Sequence, residues 1–130
     1  MRQYKEHGNV SLFESEITLQ KLSNIGNPLE KLSSVVDFEM FREQLESKLL
    51  NNNKKNNAGA KPYDVVMMFK IIILQRYYNI SDDQTEYQIH DRTSFKDFLG
   101  LSSGDKVPDS RTIWLFRERL TEKGLGEVLF

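Results

Sequence analysis

Residues 65–78, VVMMFKIIILQRYY, are apolar almost all the way round when wound as a helix. No other stretch limits the fold as strongly. A helix without a polar face must be covered on several sides by other elements. Lys70, Gln75 and Arg76 interrupt the run, and crossing a bilayer takes roughly 20 predominantly apolar residues. The run therefore reads as the buried central helix of a soluble, cytoplasmic-type protein. Its β-branched core, Ile71–Ile73, also admits a strand, but the continuation LQRYYN and the helical neighbours favour the helix. Asp64 is placed to cap it, and it runs to about Asn79.

The rest of the chain has to supply the cover, and it reads as helices. Glu14 to Ile25 sets Ile17, Leu19, Leu22 and Ile25 at loosely helical spacing, with Gly26 as a stop. NPLEKLSSVV (27–36) opens on Asn-Pro, which suits a helix start. DFEMFREQLESKLL (37–50) reads as one amphipathic helix capped by Asp37, with Phe38, Phe41, Leu45 and Leu49 on one face. NNNKKNNAGAK (51–61) holds no large apolar residue and reads as a linker, in which Lys54 and Lys55 either touch phosphate or are simply solvated. Ser81 and Gln84 fit a capping box for a helix to about Asp91. Thr93 is placed to cap SFKDFL, which Gly100 ends. Asp109 caps a last helix from Ser110 to about Lys123, closed by Gly124. The expected fold is all-α: an N-terminal helical arm (1–50), an Asn/Lys-rich linker (51–61), and a helical body (62–130) whose C-terminal part is helix-turn-helix-like.

Several chemistries drop out on composition. The 130 residues suffice for one domain with a modest core. The absence of cysteine removes disulfides and thiolate metal sites. His7 and His90 stand in no metal-ligand spacing. The N-terminal MRQYKEHGNVSLFESE has no continuous apolar stretch and is not a secretory signal. Asp82 and Asp83 would need a third ligand to hold a metal, whereas as helix-start residues they need nothing more. His90 beside Asp91 is either a base or ligand, or a hydrogen-bonded surface group. Tyr63, Tyr77, Tyr78 and Tyr87 read as core and boundary aromatics. No phosphate loop, nucleophile constellation or zinc pattern is present, so no catalytic residue, metal or cofactor is expected.

The stretch KVPDSRTIWLFRERL (106–120) carries three arginines on a turn and a helix. Ile113, Phe116 and Leu120 stand together and should face the core, while Arg111, Leu115 and Glu118 lie opposite. Arg119 flanks that outer side. Arg117 and Trp114 fall near the stripe's edges, and the Arg117 head is free to snorkel outward. In helix-turn-helix DNA readers the first residues of the second helix enter the major groove. Here those residues are Ser110, Arg111 and Thr112, which makes Ser110, Arg111, Thr112, Arg117 and Arg119 the candidate DNA-contacting set. A partner-binding stripe and plain packing remain open beside that reading. The net charge of −1 gives no general pull towards nucleic acid. From Lys70 to Lys123 nine basic residues balance nine acidic ones, so any such contact needs charge segregated by face.

The pieces KPYD, LQRYYNISD, DRTSFKDFLGL and VPDSRTIWLFRERL occur in order between residues 61 and 120. With the lead-in LSNIGNPLEKLSSVVDFEMFREQLE (22–46) they resemble the N-terminal domain of bacterial DDE transposases of the "insertion sequence five" group, over about residues 13 to 125. The resemblance implies a helical domain that helps bind the terminal inverted repeats of an element in double-stranded DNA. It also implies a following RNase-H-like domain, in which three carboxylates hold two divalent metal ions. The chain ends at Phe130, before the first of those carboxylates is expected, so this chain alone is expected not to cut or join DNA. A second copy of the chain, or a separate catalytic domain, is the other expected partner; no membrane is.

Overall fold

The protein's structure, a computed structural model, describes residues 14–49 and 62–124. The stretch expected as a linker, 51–61, lies outside them, as does His7. Among the described residues there are α-helices and one 3-10 turn, and no strand. The strand alternative for Ile71–Ile73 is not taken.

The first helices begin and end where local chemistry says they should. Helix α1 (Glu14–Ile25) stops at Gly26, whose φ of 112° favours glycine. In α2 (Pro28–Val35) the Asn27 side chain accepts the Leu29 amide at 3.1 Å. The stretch 37–50 is not the single helix expected. It forms a 3-10 turn (Phe38–Phe41), capped by Asp37, and then α3 (Arg42–Leu49). Tighter winding is common at a helix start, and here two contacts accompany it. Phe38 turns into the core, its ring 5.6 Å from that of Phe98 and 6.4 Å from that of Phe69. Arg42 ties the turn to the next helix, bonding Glu39 and Asp64 at 2.7 Å each.

Helix α4 (Val65–Tyr78) is the central rod. Asp64 caps it by accepting the Met67 amide at 3.0 Å, and Asn79 ends it in the left-handed region, which asparagine tolerates better than most residues. Val65 to Phe69, Ile71, Ile72, Leu74 and Gln75 are all buried. The 3-10 turn, α3, and the three helices that follow α4 all pack on it.

Those three are α5 (Asp82–Asp91), α6 (Thr93–Leu99) and α7 (Ser110–Glu122). Ser81 caps α5 by accepting the Gln84 amide at 3.1 Å. The reciprocal half of the box does not form; the Gln84 side chain accepts from Gln88 at 3.5 Å. Thr93 does not cap α6. Arg92 alone joins α5 to α6 and occupies the cap position, which draws Thr93 into the first turn. The Arg92 guanidinium lies over the Phe95 ring, 5.1 Å from its centroid. Gly100, at φ 79°, closes α6. Asp109 caps α7 through the Thr112 amide at 2.8 Å, and Gly124 follows its end at φ 68°.

The described residues on both sides of 50–61 share one apolar cluster. Leu29, Phe38, Leu45 and Leu49 belong to the same buried set as α4, Ile89, Phe95 and Ile113. The expected arm and body thus meet in a single core. No helix of the described residues is long and apolar enough to cross a membrane.

Candidate functional site

Helix α7 buries one side and leaves the other open. Ile113, Phe116 and Leu120 are buried, as their spacing requires. On the far side Arg111, Leu115 and Glu118 are exposed. Trp114 retains 43% of its surface and Leu115 42%.

The five candidate residues part into two groups. Ser110, Arg111 and Thr112 form the first turn. Arg111 is exposed, with no hydrogen bond or ion pair among the described residues. Ser110 and Thr112 are half-buried, and their amides are already bonded, Ser110 to Glu86 at 2.8 Å and Thr112 to Asp109 at 2.8 Å. The bond from the Thr112 amide holds the Asp109 carboxyl below the usual carboxylate range. Two carboxylates therefore stand at the foot of this turn.

Arg117 and Arg119, both half-buried, are tied to partners within the fold. The Arg117 head does not snorkel outward. Its Nη1 and Nη2 grip the two carboxylate oxygens of Asp82 at 2.6 and 2.9 Å, and Nη1 also donates to Gln75 at 2.9 Å. Gln75 in turn donates to Asp82 and to the buried Thr85 hydroxyl. The Arg117 bond lowers the Asp82 pKa, and the same bond raises that of Arg117. This fork locks the end of α4 and the start of α5 to the middle of α7. Arg119 donates to the Leu49 backbone carbonyl at the end of α3, satisfying a carbonyl that a helix terminus leaves without an intrahelical partner. Asp82 thus does more than begin a helix, which its sequence position alone does not reveal. Its partner lies 35 residues on, and only the stripe-edge position of Arg117 signals that the arginine can turn inward.

Beside the first turn of α7 runs a groove of about 230 Å³, lined by Thr112, Leu115, Phe116, Tyr63, Leu49 and Pro62 among others. The outward setting of Leu115 was legible from the helical wheel; the groove was not, because it needs α3 and α4 beside α7. His90 is exposed. Among the described residues no three or more His, Asp or Glu side chains converge as a metal ion would require. The side chains of the described residues do not form the donor set of a divalent metal centre.

Caps, arginine clamps and an open helix face define a strand-free helical module among the described residues, one that offers surface for contact. Its family is specific: residues 17–119 match the family model described as Transposase domain (DUF772), and the chain belongs to that family. The membership supports a role in transposition. No solved structure matches the chain.

Proposed function

We propose that this domain binds the ends of its element in duplex DNA through the first turn of α7, as a module of an "insertion sequence five" transposase. The observation that carries the reading is the contrast among three arginines of one helix. Arg117 and Arg119 are clamped to Asp82 and to the Leu49 carbonyl, whereas Arg111 projects exposed from the N-terminal turn, near the Asp109 carboxylate but without a hydrogen bond or ion pair among the described residues. Arg111 is the contact and can grip a guanine edge through two hydrogen bonds. Ser110 and Thr112 flank it with hydroxyls. Arg117 and Arg119 act one step back, as positioning groups that fix the angle of α7. The carboxylates of Asp109 and Glu86 disfavour phosphate beside the turn, so few counterions are released and the salt dependence is shallow. In this reading the domain supplies DNA binding only, and strand cleavage belongs to an RNase-H-like domain of the family.

Fluorescence anisotropy tests this with a labelled duplex of the element's terminal repeat and a random duplex of equal length. Preference for the repeat, reduced about tenfold or more by Arg111→Ala, is the expected result. Equal affinity for both duplexes would refute the specific form. Magnesium-dependent nicking by the pure chain would refute the non-catalytic part. Trp114 and Leu115, exposed on the same helix, favour a second role in protein contact.

A further inference from the structure

We infer that Glu86 is a positioning residue. Its carboxylate holds the backbone of the first turn of α7, and with Asp82 it attaches α7 to α5 at two points, which sets the direction in which Arg111 leaves the domain. The part played for Arg111 rests on the DNA reading above; the attachment itself does not.

Asp82 and Glu86 stand at i and i+4 on α5, so they share one side of that helix. Both are half-buried, and α5 packs on α7. Asp82 takes the Arg117 guanidinium at 2.6 and 2.9 Å, and the Glu86 Oε1 accepts the Ser110 amide at 2.8 Å. The order is reversed along the chain, since the earlier carboxylate meets the later residue of α7. Ser110 and Arg117 lie roughly 10 Å apart along the α7 axis. One contact alone leaves a helix free to pivot about it, and a second at that distance removes the pivot.

The core does not replace this hold. The buried stripe of α7 begins at Ile113, beyond the first turn. Pro108 is buried and fixes where the chain enters, while Asp109 caps from within the same turn. A first-turn amide has no acceptor inside its own helix. The Thr112 amide finds one locally, in Asp109, but the Ser110 amide finds its acceptor on another helix, 24 residues upstream. That bond falls one residue before Arg111, so the backbone from which the arginine departs is tied to α5.

Two measurements on the full chain test this, made where circular dichroism shows each variant folded. One is hydrogen exchange of the Ser110 amide by NMR. The other is anisotropy with the terminal-repeat and random duplexes. Wild type should protect the Ser110 amide about tenfold or more over Glu86→Ala. Glu86→Gln keeps an oxygen that can accept the amide, so it should retain protection and the preference for the repeat. Glu86→Ala should lower that preference about tenfold, as far as Arg111→Ala does. Because Glu86 acts through Arg111, the double variant should fall no further than either single one; losses that add would overturn the positioning role. Should Glu86→Ala not fold, Ser110→Pro takes its place. Proline suits the first position of a helix and removes the donor, and Ser110→Ala, which keeps the amide, is its control. Rapid exchange of Ser110 in wild type overturns the attachment. A protected Ser110 with unchanged preference in folded Glu86→Ala overturns the positioning role and leaves the DNA reading intact. If Ser110 is protected but wild type prefers neither duplex, the DNA reading fails, the role for Arg111 falls with it, and the attachment stands.

Discussion

Helices α4 and α7 are nearly equal in length, 14 and 13 residues, yet they do opposite work. Helix α4 is buried along most of its surface, and its polar residues Lys70 and Gln75 bond partners within the fold. The Lys70 ammonium donates to the Phe98 carbonyl at 3.0 Å and lies over the Phe38 and Phe98 rings, 5.4 and 5.3 Å from their centroids, while Gln75 joins the Arg117–Asp82 fork. Helix α7 buries a narrow stripe and keeps the rest outside. A side chain committed to the core is not available to a ligand, so α7 offers surface that α4 does not. The same division applies within α7, where two arginines are tied down and one is not.

The contrast is broken most directly in α4. Phe69 is 1% exposed and meets the rings of Phe38 and Phe41. Phe69→Ala should destabilise the domain by about 3–5 kcal/mol, the usual cost of a large core truncation. Urea denaturation measures it. A loss below about 1 kcal/mol would mean that α4 is not the centre of the core.

The next effect comes from the fork between the two helices. Asp82→Ala removes both oxygens that Arg117 grips. The Arg117 side chain stays 37% exposed, so water takes over part of its solvation and the loss should be about 1–2 kcal/mol. The Arg117 hydrogen bond lowers the folded-state pKa of Asp82 below its unfolded value. The stability contributed by that bond is therefore fully present above the unfolded carboxylate range and is lost as pH falls through the folded pKa. The gap between wild type and Asp82→Ala should be constant near neutrality and close below about pH 4. A gap that widens on acidification would reverse the sign and dismiss the fork as the cause.

A smaller loss is expected for Asp109→Ala, which removes the cap of α7. Asp109→Asn should keep most of the stability, because the amide oxygen can still accept the Thr112 amide. It also removes one of the two carboxylates beside Arg111. If Asp109→Asn leaves the fold intact and tightens duplex binding, the carboxylate is a brake on the contact as well as a cap. Unchanged binding would limit it to capping.

These residues also mark where the sequence stops being legible. The caps Asp64, Ser81 and Asp109 and the stops Gly26, Gly100 and Gly124 act within a few residues of themselves, so the bounds of the described helices could be read closely. The central place of α4 and the inward stripe of α7 followed from apolar spacing. The 3-10 winding at Phe38–Phe41 did not, because it accompanies ring contacts with helices far along the chain. Thr93 was misassigned because Arg92 serves two helices at once. The inward turns of Arg117 and Arg119 depend on groups 35 and 70 residues away, and no local pattern encodes which helix end will lie opposite a long side chain. For the candidate site, the wheel gave the side on which Arg111 lies; only the packing separates it from its two neighbours.

That separation is sharpest in the substitution expected to disturb the fold least. Arg111→Ala removes an exposed side chain without a hydrogen bond or ion pair among the described residues, so stability should stay within about 0.5 kcal/mol of wild type. Alanine is also the better helix former, which offsets any small loss at the first turn. Arg119→Ala offers the matched control on the same helix, since it leaves the Leu49 carbonyl without its donor and should cost more stability. If Arg111 is the DNA contact, thermal melts and binding isotherms will separate the pair: Arg111→Ala loses duplex affinity with an unchanged melt, and Arg119→Ala lowers the melt. Should both variants lose affinity in proportion to their stability, the exposed arginine would have no special part, and the difference between the two faces of α7 would be one of packing alone.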